Sequence, residues 1–133
     1  MRFELVDQVL ERGPERLRAV KTVTSAEEYL ADHFPGFPVL PGVMMLEAMV
    51  QAARHLAADQ PDAPAAPLVV ADVRNVKYGQ LVRPGQALIV EVTLRQREAG
   101  ELTFQGEASV DGQTAAQGRF RLRPLAEQTT TAA

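Results

Sequence analysis

A chain of 133 residues, of which 46% are hydrophobic and 23% charged, fits one folded domain with an ordinary core. The sequence has no cysteine, which excludes disulfides, thiolate metal sites and a cysteine nucleophile, and its net charge of −3 lacks the basic excess of nucleic-acid-binding proteins. No segment approaches the ~18 consecutive apolar residues of a membrane span, and an acidic residue lies where a signal peptide would be apolar, so we expect a cytoplasmic protein.

The first predicted element is a hairpin of two strands, at residues 3–11 and 16–24, around a turn at Gly13-Pro14. At the other end of the chain, residues 126–133 are predicted to form a disordered tail. We therefore expect a single domain over residues 1–125.

Residues 32–42 form a stiff, irregular segment, because three prolines and two glycines in eleven residues prevent regular hydrogen bonding. Such a segment holds His33 in a fixed place and leaves backbone N–H groups free. The helix that follows presents unpaired N–H groups and a partial positive charge at its N-terminus. These features suit a developing oxyanion, such as a thioester enolate.

One long helix is predicted over residues 42–58, preceded by Pro41 and ended by the proline-rich loop at residues 59–67. Apolar side chains cover most of its circumference, which is typical of a buried helix. These are Val43, Met44, Met45, Leu46, Ala48, Met49, Val50, Ala52, Ala53 and Leu56.

Glu47 places a carboxylate within this apolar helix, and Gln51 follows one turn later, within reach of a hydrogen bond. A buried carboxylate is costly unless it is paired, and together with His33 it would form an acid and base that work near neutral pH. Two structural interpretations stay open. Glu47, Gln51 and Arg54 also fit the spacing of a solvated helix stripe, and a lone histidine among prolines is more often a structural loop residue.

The second half of the chain alternates apolar and polar residues, the pattern of antiparallel strands with one buried face. Strands are predicted at residues 68–78, 88–95, 101–110 and 116–123, with turns at Ala99-Gly100 and Asp111-Gly112. The fold class is therefore α+β, with about six strands in one sheet wrapped around a central helix.

The segment from His33 to Gln51 closely resembles the signature of the bacterial β-hydroxyacyl-ACP dehydratases of the FabZ type. The matching residues are His-Phe-Pro-Gly-Phe-Pro-Val-Leu-Pro-Gly-Val at 33–43, Leu-Glu-Ala-Met at 46–49, and Gln51. Residue types agree, and so does the spacing of 14 positions from His33 to Glu47. A weaker resemblance covers nearly the whole chain.

The resemblance implies a hotdog fold, in which a curved antiparallel sheet wraps one long helix. It also implies a homodimer whose sheets join edge to edge, with further assembly into higher oligomers as an option. The active site would lie at the dimer interface and pair His33 of one subunit with Glu47 of the other. Neither a metal nor another cofactor is expected.

Carried over by position, His33 would remove the C2 proton of a (3R)-3-hydroxyacyl thioester, and Glu47 would help to expel the C3 hydroxyl as water. Gln51 would orient Glu47, and the backbone N–H of Gly42 would bind the thioester carbonyl. The product would be a trans-2-enoyl thioester. The acyl chain would lie in an apolar tunnel formed in part by Phe34, Phe37 and Met45.

The substrate would be delivered by acyl carrier protein, an acidic partner that needs basic residues at the mouth of the tunnel. Candidates are Arg74, Lys77, Arg119, Arg121 and Arg123. A glutamate at position 47, rather than an aspartate, implies dehydration without isomerisation. Asp32 replaces the glycine that usually precedes the histidine, which is a reason to consider a polyketide or aryl-polyene pathway beside fatty-acid synthesis.

Two other functions stay open at this point. A hotdog acyl-thioesterase would use a carboxylate to activate water, and it would release a thiol. A non-catalytic module that binds acyl carrier protein or an acyl chain would need no acid or base, which the presence of both His33 and Glu47 argues against.

Overall fold

The structure, a computed structural model, describes residues 5–23, 40, 42–61, 63 and 66–125. Six strands and one helix lie in these residues. In chain order they are β1 (Gln8–Arg12), β2 (Arg16–Thr22), α1 (Gly42–Ala58), β3 (Leu68–Tyr78), β4 (Ala87–Glu98), β5 (Glu101–Val110) and β6 (Gln113–Pro124).

The strands form one antiparallel sheet in the order β1-β2-β4-β5-β6-β3. α1 contacts every strand from β2 to β6, so the sheet curves around the helix. This is the α+β arrangement predicted from the sequence, and the predicted bounds of the helix and of the strand at residues 68–78 are confirmed.

The apolar residues of the predicted alternation form the core. In β4, β5 and β6 they all face α1 and are buried, while the intervening positions face outward. The rings of Phe104 and Phe120 stack at the centre, with centroids 5.7 Å apart. The other buried members of this set are Leu88, Val90, Val92, Leu94, Leu102, Ala108, Val110, Ala116 and Leu122, and Ala115, the unpaired residue at a register shift between β5 and β6, is buried as well.

Gly106 marks a close approach of the sheet to the helix. It pairs with Gly118 across β5 and β6, and it lies on the face that carries Phe104. A Cβ at position 106 would come within 2.8 Å of the Met49 sulfur and 3.1 Å of the Phe120 ring. A side chain at this position would therefore overpack the core.

Both predicted hairpin turns are confirmed. Ala99 and Gly100 have φ values of 54° and 82°, and Asp111 and Gly112 have φ values of 51° and 79°. Two consecutive left-handed residues are the geometry of a two-residue turn whose twist matches that of the flanking strands.

The N-terminal hairpin is shorter than predicted, since β1 begins at Gln8 and not at residue 3. Residues 3 and 4 lie outside the described residues, as does residue 24 of the predicted second strand. The backbone N–H of Leu5 donates to the Gln51 side chain (2.8 Å), so this residue is bonded to α1, and the first backbone bond to β2 comes from the N–H of Asp7 (2.9 Å).

β3 lies at the edge of the sheet and pairs with β6 alone among the described strands. Val70 and Val73 stand opposite Leu122 and Phe120 on the face toward α1, yet 40% and 36% of their surfaces are exposed. The edge of the sheet therefore extends beyond the helix that covers its centre.

The pairing of β3 with β6 shifts register twice, first between Val70 and Asp72 and then at a β-bulge at Asn75. Three steps along β3, from Arg74 to Lys77, match two steps along β6, so one residue is extra. Asn75 has a φ of 58°, a conformation that asparagine tolerates better than most residues. No helix among the described residues is long and apolar enough to cross a membrane.

Candidate active site

The start of α1 is held from both sides. Before it, the backbone N–H of the buried Leu40 donates to the Val82 carbonyl (2.7 Å). At its first residue, the ring of Tyr78 lies so close that a Cβ on Gly42 would come within 2.8 Å of it. A side chain at position 42 would therefore displace the exposed Tyr78 ring, whereas glycine lets the ring lie against the first turn of the helix, whose N–H groups have no partner within the helix.

The bulge at Asn75 is what brings Tyr78 to this position. Val73 faces α1, and five residues later simple alternation would point Tyr78 to the opposite face of the sheet. The extra residue reverses the alternation, so Tyr78 stands opposite the buried Ala116, on the face toward the helix.

Glu47 lies just over one turn into α1 and is connected to the N-terminal segment through Gln51. The Gln51 Nε2 group donates to Oε2 of Glu47 (3.0 Å), and its Oε1 accepts from the backbone N–H of Leu5 (2.8 Å). The hydrogen bond between Gln51 and Glu47 expected from the helical spacing is therefore present.

Arg54 approaches the same carboxylate oxygen. Its Nη1 atom lies 3.9 Å from Glu47 Oε2, and its Nε group donates to the Leu68 carbonyl at the start of β3 (3.2 Å). Two side chains, each fixed to the backbone of a different segment, thus contact one oxygen of Glu47. Among the described residues no contact to the other oxygen, Oε1, is found.

Glu47 is half-buried, with 41% of its side chain exposed. Gln51 is also half-buried, while Arg54 and His55 are exposed. Within one chain these residues therefore form a partly solvated stripe, as one of the two structural interpretations held. The apolar remainder of the helix packs in the core, with eight buried residues between Met45 and Ala57.

The other predicted site residues are divided between the core and the part of the chain that is not described. His33, Phe34 and Phe37 lie outside the described residues. Met45 is buried in the hydrophobic core against the sheet. It is not among the residues that line the cavity beside Arg54 described next, so its assignment to a substrate tunnel stays a prediction.

A cavity of about 480 Å³ lies beside Arg54, between the end of α1 and the start of β3. Its volume is within the ordinary range of small-molecule pockets. Apart from Arg54, its walls are formed by small or apolar residues: Ala57, Ala58, Ala63, Ala66, Pro67, Leu68 and Val69.

All five candidate basic residues lie on the outer face of the sheet, away from α1. Arg121 donates to Asp72 (2.7 Å) and to Glu101 (3.0 Å), and Arg74 donates to Asp72 (3.3 Å). Arg119 stands opposite Arg74 and donates to Gln105 at 3.4 Å. Lys77 and Arg123 are exposed. The charges of Arg74 and Arg121 are therefore partly neutralised on this face.

Sequence reasoning missed two residues at this site. The sequence placed Arg54 only in a solvated stripe of the helix. It follows Glu47 by seven residues, two helical turns, and this spacing is the signal from which the ion pair with Glu47 could have been predicted. Tyr78 was not singled out, because the alternation of β3 gives no sign of the bulge. No group of three or more residues that could hold a metal ion is found in the described part of the chain.

Comparisons with known proteins cover most of the chain. The model of the FabA-like domain matches residues 1–119. A 3-hydroxyacyl-(acyl-carrier-protein) dehydratase FabZ from Lactococcus lactis subsp. cremoris is 38% identical over 116 residues, which are 87% of this chain and 81% of that protein.

Solved structures with low sequence identity share the fold. The dehydratase heterocomplex ApeI:P from Xenorhabdus doucetiae matches with a TM-score of 0.75 at 20% identity, over 97% of this chain and 88% of that chain. Thioesterase superfamily member 2 from Mus musculus matches with a TM-score of 0.68 at 14% identity, over 90% of this chain and 81% of that chain. The predicted hotdog fold is confirmed.

Proposed function

Since the chain belongs to the family of FabA-like domains, with FabZ dehydratases among its relatives, we propose that it dehydrates 3-hydroxyacyl thioesters carried on acyl carrier protein. The reaction is that of a hydro-lyase in fatty-acid biosynthesis or a related polyketide or aryl-polyene pathway. The observation that carries the proposal is the hydrogen bond from Gln51 to Glu47. Glu47 is the residue that follows His33 by 14 positions in the matching signature.

In the proposed mechanism His33 accepts the C2 proton of a (3R)-3-hydroxyacyl thioester. The electron pair of the broken C2–H bond forms the C2–C3 double bond while the C3–O bond breaks. Glu47 donates a proton to the C3 hydroxyl, which leaves as water, so that the Glu47 carboxylate and the trans-2-enoyl thioester remain. The N–H of Gly42 stabilises charge on the thioester oxygen, because the helix N-terminus is electropositive. The proposed chemistry uses no metal or other cofactor.

We place the acyl chain in the cavity beside Arg54. Four alanines leave the space open, and Arg54 connects the cavity to Glu47. Ala58→Phe would narrow the cavity and shift activity toward shorter acyl chains, whereas Ala87→Phe on an exposed strand end would leave the chain-length profile unchanged. Equal chain-length profiles for the two variants would show that the acyl chain binds elsewhere, for example against Phe34, Phe37 and Met45.

We further propose that the working unit is a homodimer joined through β3. Three observations support this interface: β3 is an edge strand, its Val70 and Val73 are exposed, and Glu47 is half-exposed within one chain. A second copy would cover the edge and complete the site with its own His33. Further assembly of such dimers into higher oligomers is part of the same proposal.

Acyl carrier protein is the proposed partner and the cytoplasm the proposed location. Of the candidate basic residues, we favour Lys77, because it adjoins Tyr78 at the start of α1. Arg123 at the other end of the sheet, together with Arg74, Arg119 and Arg121 on the outer face, ranks below it.

The experiment uses the purified chain and a (3R)-3-hydroxyacyl thioester on acyl carrier protein, with loss of water followed by mass. His33→Ala and Glu47→Gln should each lower the rate about a hundredfold or more, the range of general acid–base catalysis. His55→Ala, which removes the other histidine, is the matched control and should retain the rate. Full activity in both site variants would overturn the assignment, and thiol release without enoyl product would indicate a thioesterase.

A further inference from the structure

We propose that Arg54 is a positioning residue, which holds the Glu47 carboxylate in its working orientation. The inference rests on the proposed function and deepens it, because it adds a residue to the same site. It begins from the geometry of one oxygen atom: Gln51 and Arg54 both contact Glu47 through Oε2.

The two contacts hold the carboxylate from different directions. Gln51 is anchored by the Leu5 backbone before β1, and Arg54 by the Leu68 carbonyl at the start of β3. A carboxylate with a single partner still rotates about its side-chain bonds, whereas a second anchored partner fixes the plane of the group. Oε2 is then occupied and Oε1 is turned toward the substrate.

Charge strengthens this arrangement. Gln51 is neutral and orients Glu47 by a hydrogen bond alone, while the guanidinium of Arg54 attracts the carboxylate at 3.9 Å. Since 42% of the Arg54 side chain and 41% of the Glu47 side chain are exposed, solvent weakens the attraction in a single chain. The effect of Arg54 on the rate is therefore modest and measurable.

The test compares wild type, Arg54→Gln and Arg54→Lys with a short 3-hydroxybutyryl thioester, whose chain does not fill the adjacent cavity. Arg54→Gln should lower kcat about twofold to fivefold and leave KM nearly unchanged, the effect of losing one partly exposed ion pair in the transition state. Arg54→Lys, which keeps the charge but cannot keep both the Leu68 and the Glu47 contact, should recover part of kcat.

Arg12→Gln is the matched control. Arg12 also forms an ion pair, with Asp59, and is similarly exposed, but it lies on β1. It should keep the wild-type kcat and KM. All variants are assayed well below their melting temperatures, so that the folded fraction is the same.

Each outcome decides the proposal. An Arg54→Gln variant with unchanged kcat would overturn it, and so would a raised KM with unchanged kcat, since Arg54 would then bind substrate directly. Equal losses in Arg54→Lys and Arg54→Gln would also overturn it, because charge would not matter. If the wild-type protein has no dehydratase activity, the proposed function itself is wrong. If the wild type is active and Arg54→Gln is equally active, only the positioning role of Arg54 is wrong.

Discussion

β5 and β3 are strands of similar length in the same sheet, but they are completed in different ways. Every second residue of β5 is buried beneath α1, and the strand has a hydrogen-bonded neighbour on each side. β3 has one such neighbour, carries a bulge, and leaves Val70 and Val73 exposed on the face that should be covered. Within one chain β5 therefore has both strand neighbours and a covered face, whereas β3 leaves an apolar edge exposed.

The difference indicates that the centre of the sheet stabilises the fold, while the region near β3 holds the candidate site. The centre of the sheet provides the core, where Phe104, Phe120 and Met49 pack without gaps for a further side chain. The candidate site lies toward the other region, where Glu47 is half-exposed, Tyr78 of β3 contacts the start of α1, and Arg54 of α1 donates to the Leu68 carbonyl at the start of β3. Changes at the centre should therefore alter stability, and changes near β3 should alter assembly and activity.

The largest expected effect tests whether the site is shared between chains. His33→Ala and Glu47→Gln proteins should each be inactive, but after subunit exchange the mixture should regain activity. Since half of the dimers are then mixed and each has one intact site of two, about a quarter of the wild-type rate is expected. Exchange verified by mass spectrometry and without any recovery would place the pair within one chain.

A lysine on the open edge should break the proposed dimer. Val73→Lys would place a charge in the interface, where desolvation costs more than about 1.4 kcal/mol, so the dimer dissociation constant should rise at least about tenfold. Activity at low protein concentration should fall with it.

Sedimentation and enzymatic rate are measured on the same samples. Leu10→Lys is the matched control, because Leu10 is also exposed but lies on β1 at the opposite edge. A Val73→Lys protein that remains dimeric and active would show that another surface joins the chains.

Gly106→Ala should destabilise the centre. The added methyl group would overlap Met49 and Phe120, and overpacking of this kind costs about 1–3 kcal/mol. Urea denaturation should show this loss, with little change in the rate of the folded enzyme. Gln105→Ala, on the outer face of the same strand, should lose much less, and equal losses would contradict the close packing at Gly106.

The smallest expected effect concerns the turn between β4 and β5. Ala99 occupies a left-handed conformation that asparagine adopts more readily, so Ala99→Asn should stabilise the protein by about 0.5–1 kcal/mol. Asp111→Ala, the reverse change in the matching turn, should destabilise it by a similar amount. Thermal unfolding measures both, and shifts of the same sign would contradict this account of the turns.

The centre of the sheet follows from the sequence more completely than its edge does. Alternation places Val90, Phe104 and Leu122 in the core because each strand there has one covered face. The predicted bounds of α1 agree with the structure, since Pro41 and the loop at residues 59–67 mark its ends.

The edge could not be predicted in the same way. The alternation of β3 contains no signal for the bulge at Asn75, which depends on pairing with β6, so the contact between Tyr78 and Gly42 was missed. The role of Arg54 was missed because its partner depends on where the Leu68 carbonyl lies. The proposed pair of His33 and Glu47 stays a prediction, as His33 lies outside the described residues.

The bulge at Asn75 separates two registers of β3. From Asp72 to Arg74 the strand pairs with β6 in one register, and from Lys77 onward it pairs in another. Losing the bulge with no residue deleted would merge the two registers and turn Tyr78 outward, without shifting any residue of β6. Loss of the bulge would thus remove the Tyr78 ring from the start of α1. Such a change is a simple evolutionary route to a different shape at this end of the site, with the core unchanged.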